Sequence, residues 1–349
     1  MTKTTAASFI KRLPIPTLII GGFWVFILIF GVTQGLPLSS LLTDTVRRFG
    51  MWGLLVLAMV PSIQSGTGPN FALPVGVVCG LLAMVCAIEF GFMGAGWLTA
   101  SVIMAIVFAS ILGLGYGKLM NAVKGSEMTI ATYTGFSITY LFCILWMTLP
   151  FTSPKMGWML GSGLRNTIEL GTVNANQIIN NFLAFDLFGV KIPTGMLLVV
   201  FGSCFLVWLF FRSKTGSAIS AGGMNPMFAK AAGLNVDRSR IIANIISTAL
   251  GAVGIIVYSQ SFGFTALYDA PLMMAFQAVA AILVGGATAG RSKIIHVIIG
   301  TMIFQGLLTN TPPVLGRAFP GTDLTEIMRL VVGNGIILYA LAQVKRGDK

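Results

Sequence analysis

The groups in this sequence that could carry protons, hold metal or act as nucleophiles are ten acidic residues, one histidine and four cysteines. Their placement argues against each of those chemistries. Glu89, Glu127, Asp269, Asp323 and Glu326 all fall at the ends of apolar runs, so no carboxylate stands at mid-membrane depth where a proton or ion relay would need it. Cys79, Cys86, Cys143 and Cys204 lie inside apolar runs with no CxxC pair and no neighbouring histidine, as small packing residues do. His296 is alone, about one turn into the span that follows Arg291 and Lys293, and reads as an interfacial or packed residue. The stretch GLGYGKL from Gly113 to Leu119 has a Gly-Lys pair. It lacks the Ser or Thr that would hold magnesium, and its first glycine is misplaced for a phosphate-binding loop. Any ATP that drives this protein is expected on another chain, and no cofactor on this one.

What remains is chemistry of the backbone. PSIQSGTGPNFALPVG, from Pro61 to Gly76, interrupts an apolar region with prolines at 61, 69 and 74 and glycines at 66, 68 and 76. Proline removes a helical hydrogen bond and glycine relaxes the chain, and the freed carbonyls are tolerated in a bilayer only against protein or a water-filled cavity. APLMMAFQAVAAILVGGATAG, from Ala270 to Gly290, is a milder interruption in the second half, and paired interruptions point to a solute route. Gln64, Gly68, Pro69, Asn70, Phe71, Phe276 and Gln277 are therefore the candidates for a translocation path. A structural kink, or for the first segment an ordinary cytoplasmic turn at residues 66 to 70, is the other reading of each.

A third stretch, GGMNPMFAKAAGLNVDRSR from Gly222 to Arg240, is polar among apolar neighbours. Asn225 suits an N-cap, Pro226 the first helical position, and Gly233 a left-handed C-cap with Leu234 packing back. A helix from Pro226 to Ala232 is too short to hold itself in water, because nucleation costs more than so few hydrogen bonds return. It needs a surface to pack on. Phe228, Ala231 and Ala232 share one face by their spacing, and the small alanines allow close approach.

These segments have to be positioned by a membrane protein. The chain is 56% hydrophobic and 9% charged, with 42 glycines and a mean hydropathy of +0.89, far from the roughly 25% charge of a soluble surface. Apolar runs of about the length that crosses a bilayer predict ten spans, near 13–35, 51–68, 71–89, 95–116, 128–149, 193–211, 241–261, 272–289, 292–309 and 323–343. The first is longer than the apolar part of a signal peptide and no small-x-small cleavage site follows it, so it reads as a retained span. With the N-terminus inside, fifteen of the twenty-two Lys and Arg residues fall on the cytoplasmic side. The net charge of +12 is thus a topology signal and requires no nucleic-acid partner. Both termini are expected in the cytoplasm, as an even number of spans requires. The expected fold is a single all-α polytopic domain over 1–349, with an external loop at 150–192 that could form a surface helix or lid and a cytoplasmic segment at 212–240.

SAISAGGMNPMFAKAAGLNVDRSR, from Ser217 to Arg240, resembles the coupling segment of the permease subunits of ATP-binding-cassette importers for simple sugars, the ribose, galactose and autoinducer-2 group. That family carries a Gly-x-Asn-x-x-Ala-Ala-x-x-x-Gly-Ile-x-Val pattern, which Gly223, Asn225, Ala229, Gly233, Asn235 and Val236 follow approximately, with Leu234 in place of Ile. FQAVAAILVGGATAG, from Phe276 to Gly290, looks like the family's Ala-Ala-x-x-Leu-Gly-Gly-x-Ser stretch, and Gly300, Thr301 and Ile303 fit the Gly-Thr-x-Ile that follows. The resemblance covers most of the chain from residue 40 onward. It implies a type II importer-like bundle in the bacterial inner membrane, with Gly223, Asn225, Pro226, Phe228, Ala229, Ala231, Ala232 and Gly233 meeting the ATPase. Its implied partners are two cytoplasmic ATPase subunits or domains that bind ATP and Mg, a soluble or lipid-anchored solute-binding protein, a second permease copy or homologue, membrane lipid and a small polar solute.

There is a departure at Gly68 to Gly76, where sugar permeases read Gly-Ile-Asp-Leu-Ser-Val-Gly and this chain has GPNFALPVG. The aspartate and serine are absent, so a nucleoside, a modified pentose or another small solute stands beside a simple sugar. An ion-coupled secondary transporter would need an ion site, which backbone carbonyls alone can supply. A membrane enzyme would need clustered His, Asp or Glu.

Overall fold

In a computed structural model of the chain, residues 15–157, 163–187, 189–288, 290–319, 327, 330–331 and 333–338 are described. The helices are α1 (Ile15–Thr33), α2 (Leu38–Leu57), α3 (Met59–Gln64), α4 (Leu73–Glu89), α5 (Gly94–Ala122) and α6 (Glu127–Thr148) in the first half. The second half has the short α7 (Ile178–Asn181), then α8 (Thr194–Arg212), α9 (Lys214–Met224), α10 (Pro226–Ala231), α11 (Val236–Phe262), α12 (Ala270–Val284) and α13 (Ile294–Ala318). Among the described residues, seven helical stretches are long and apolar enough to span a bilayer: α1, α2 with α3, α5, α6, α8, α11 and α13. The fold is that of an all-α polytopic membrane protein.

The helices near the predicted spans alternate in direction, so their caps gather at two ends. One end carries α9 and α10, the close of α3 and the starts of α6, α11 and α13. The other carries two small strand pairs. β1 (Thr167–Glu169) pairs antiparallel with β4 (Phe264–Ala266), and β2 (Phe185–Leu187) pairs antiparallel with β3 (Val190–Ile192).

The core is built on α4 and on α12 toward its C-terminal end. At 17 and 15 residues they extend about 26 and 22 Å, short of the ~30 Å of hydrocarbon. Glycines bring α4 onto α11, since a methyl at Gly76 or Gly80 would run into the carbonyls of Thr248 or Ala252. Around this centre α1, α5, α6 and α8 present their apolar surface outward, with Ile103, Tyr140 and Leu206 among the exposed side chains. This is the pattern lipid requires.

The expected span at 51–68 is corrected. Its helix starts at Leu38, thirteen residues earlier, and continues with an irregularity at Ala58 to Gln64. Asp44, Arg47 and Arg48 lower the local hydropathy, but this first part is amphipathic and buries Leu41, Thr45 and Phe49. The span at 323–343 lies largely outside the described residues, as do both chain ends. The described part of the 150–192 loop holds the four-residue α7, the β2–β3 pair and β1, whose partner β4 lies outside the loop, and it is tied down. Thr152 and Ser153 donate from their backbone N–H to the Glu89 carboxylate at 3.0 and 3.1 Å, and the Ile179 N–H donates to Gln260 Oε1 at 3.2 Å.

Candidate functional site

The short helix forms as its caps require. Asn225 Oδ1 accepts from the Phe228 N–H at 3.0 Å, Pro226 opens the helix, and Gly233 takes φ +79°. Leu234 N–H returns to the Ala229 carbonyl at 2.9 Å. Ala229 is the one residue of α10 that is fully buried, which is how so short a helix is held. Phe228, Ala231 and Ala232 all face outward. Phe228 is 70% and Met227 84% exposed, so a large apolar surface is presented at the tip of the bundle.

The preceding helix α9 packs on the interrupted span. Ser213 caps it, accepting from the Gly216 N–H at 3.2 Å, and its far end reaches the close of α3. There Ser220 Oγ donates to Gln64 Oε1 at 2.9 Å, while Gln64 Nε2 donates to the Ser292 carbonyl at 2.8 Å. One amide therefore joins α3, α9 and the turn before α13. Gly66, at φ +77°, lies in backbone contact with Gly223.

Beyond Gln64 the chain is non-helical until Leu73, with Gly66 and Gly68 both left-handed. Its polar groups bond within the protein. Ser62 Oγ donates to the Gly68 carbonyl at 2.7 Å, and Asn70, 1% exposed, donates to Ser247 Oγ at 2.8 Å and accepts from the Tyr116 hydroxyl at 3.1 Å. Ser247 is eleven residues into α11, so the break lies about 16 Å from that helix's start, inside the bundle. Phe71 packs on Phe276 with ring centroids 5.9 Å apart, and Phe276 on Phe136 at 6.3 Å. Pro69 follows Gly68 in the same buried turn.

Of the seven path residues named from sequence, Gln277 lines a cavity of about 720 Å³ at the strand-bearing end. One wall is aromatic. Trp52 meets Tyr258 edge-on at 5.6 Å, Tyr258 stacks with Phe262 at 5.7 Å, and Phe262 meets Phe264 at 4.7 Å. Arg48 lies over the Phe262 ring at 5.3 Å. The lining also takes in Gln277 of α12, Gln305, Leu308, Thr309 and Pro312 of α13, Asn334 and Asp269. Pro312 and Pro313 sit within α13 and cannot donate four residues back, so the Leu308 and Thr309 carbonyls lose their helical partners. A volume on this scale, walled by aromatics with a few polar groups, fits a small polar solute. Sequence reasoning missed this wall because its residues come from α2 and α11, about two hundred positions apart. The Pro-Pro pair inside an apolar run was a signal that could have led to it.

The family model described as Branched-chain amino acid transport system / permease component matches residues 41–340. The chain is 25% identical over 327 residues to the galactofuranose transporter permease protein YtfT of Escherichia coli (strain K12), covering 91% of this chain and 83% of that one. It is 26% identical over 298 residues to the fructose import permease protein FruG of Bifidobacterium longum (strain NCC 2705), covering 85% and 82%. It is 23% identical over 243 residues to the nucleoside ABC transporter permease protein NupB of Lactococcus lactis subsp. cremoris (strain MG1363), covering 69% and 62%.

Proposed function

Because the chain belongs to the branched-chain amino acid transport system / permease component family, we propose that it is the membrane-spanning subunit of an ATP-driven importer that carries a simple sugar across the bacterial inner membrane. On this reading a binding protein delivers solute to the strand-bearing end. Two partner ATPases, holding ATP and Mg, grip α10 at the other end, and a second permease copy or homologue completes the route. This chain performs no covalent chemistry. Closure of the ATPases moves α9 and α10, and through Gln64 and Gly66 that motion reaches the broken span. The sugar assignment draws on the relatives for galactofuranose and fructose. A nucleoside is the second reading, favoured by the NupB relative and by an aromatic wall on which a base could stack.

The observation that carries the importer reading is the outward apolar face of α10, a capped helix whose buried side is Ala229 alone. Enlarging that face with Ala231→Trp should prevent seating, since a close-packed contact absorbs such volume only with strain. Asn225→Ala should be milder, costing about 1 kcal/mol of helix stability. Co-purification of the ATPase with each variant, followed by solute-stimulated ATP hydrolysis in lipid, should rank Ala231→Trp well below Asn225→Ala. Full retention of the ATPase and of stimulated hydrolysis by Ala231→Trp would remove the reading's main support.

A further inference from the structure

We propose that the face of α13 carrying Thr309, Gln305 and Thr301 is the surface along which solute crosses the membrane, with Gln305 as the point that recognises an uncharged, hydroxylated molecule. The proposal rests on the importer reading and assigns it a path.

Gln305 is 3% exposed, yet its Nε2 has no hydrogen-bond partner and the residue lines the cavity. A buried amide donor left unpaired costs about 1–3 kcal/mol, and a solute hydroxyl that accepts from it would relieve that cost. A second orphan lies one turn deeper. Thr301 is fully buried and its Oγ1 also lacks a partner. Thr45, Thr132, Thr139, Thr248 and Thr311 each donate to the carbonyl four residues back in their own helices. Thr301 does not, so its hydroxyl is left for something else.

Positions 301, 305 and 309 follow at intervals of four and so share one side of the helix, with Leu308 beside Thr309 and Pro312 one turn beyond on the same side. They descend about 12 Å from the cavity toward the α10 end. At the top, the carbonyls released by Pro312 and Pro313 add acceptors to the amide donor of Gln305. A sugar hydroxyl both donates and accepts, and this stripe offers both kinds of group without a charge. Arg48 and Asp269, the charged residues among the described lining, come from α2 and from the residue that precedes α12. Below Gln305 the way is shut in this conformation. A methyl at Gly300 would enter the Ala281 carbonyl, and one at Gly285 the His296 carbonyl, so α12 and α13 touch through their backbones beside Thr301. Parting these two helices is the movement that uncovers Thr301.

Cysteine labelling of the purified transporter with its ATPase tests this, in a chain from which the four native cysteines are removed. Thr309→Cys and Gln305→Cys should react with a charged methanethiosulfonate at least about tenfold faster than the outward-facing Leu206→Cys. Thr301→Cys should react slowly at rest and accelerate about tenfold during ATP turnover. Reaction at 305 no faster than at 206, or a Thr301→Cys rate indifferent to turnover, overturns the proposal. In a second arm, Gln305→Leu should raise the KM for uptake of galactofuranose, fructose or uridine about tenfold, with the yield and melting temperature of the complex unchanged or higher. Gln305→Asn should restore part of the affinity. Loss of stability in Gln305→Leu with an unaltered KM would make the residue structural and overturn its assignment. If instead the wild-type chain retains no ATPase, the importer reading fails, and the labelling rates at 305 and 309 relative to 206 still decide whether this face lines a water-accessible route.

Discussion

Gly66 and Gly223 meet backbone to backbone: a methyl on Gly66 would stand 3.0 Å from the Gly223 Cα, and a methyl on Gly223 would enter the Gln64 carbonyl. No side chain cushions the contact between the broken span and the end of α9. Displacement of α9 must therefore move residues 64 to 66 with it. Gly223→Ala should force the two apart at about 1–3 kcal/mol of overpacking. The expected result is uptake reduced to a small fraction of wild type and ATP hydrolysis no longer stimulated by solute, with the ATPase still co-purifying because the α10 face is intact. Normal stimulated hydrolysis in Gly223→Ala would show that motion reaches the span by another contact.

Two ion pairs at the same end should differ sharply in consequence. Arg240 Nη2 and Glu127 Oε1 are 2.6 Å apart with side chains 9% and 17% exposed, while Lys124 and Asp237, at 2.5 Å, are 43% and 51% exposed. Removing one partner of the enclosed pair strands a charge, at a cost of order 3–5 kcal/mol. An exposed pair contributes about 0–1 kcal/mol. Glu127→Gln should accordingly lower the thermal midpoint of the purified chain by several degrees and Asp237→Asn by little. Equal shifts would contradict this account of how α6 is fastened to α11.

The proposed orientation has a direct check. Ser213 and Asn176 are both exposed and lie at opposite ends of the bundle. In a cysteine-free chain, Asn176→Cys should react with an impermeant thiol reagent added to intact cells, and Ser213→Cys should react only after the membrane is opened. The reverse pattern would invert the topology and the direction of transport with it.

Apolar runs predicted the described helices of membrane-spanning length together with α4 and α12, apart from the first part of α2, because a membrane segment must satisfy its own backbone and so declares itself by composition. The cap of α10 was legible residue by residue for the same local reason: Asn225, Pro226 and Gly233 act within one or two turns. The start of α2 was hidden because Arg47 and Arg48 find their partners far away, in the Ser261 carbonyl at 2.7 Å and the Phe262 ring. Gln64 and Asn70 were singled out as candidates for a solute path, but polarity does not say which partner a side chain finds. Both find it in the protein, at Ser220 and Ser292 for one and at Ser247 and Tyr116 for the other. The cavity wall of Trp52, Tyr258 and Gln305 exists only once α2, α11 and α13 are side by side, and no spacing along the chain announces that.

The shortness of α4 and α12 has a further consequence. A bilayer that thickens or thins acts on a protein through helices that must match it, by tilting them or deforming around them. These two helices fall short of the ~30 Å hydrocarbon core and are largely enclosed by their neighbours, so hydrophobic mismatch acts first on the outer ring of α1, α5, α6 and α8. The centre of the protein is insulated from the lipid composition of its host membrane, and the helices that must part for solute to pass feel that membrane only through the tilt of those around them.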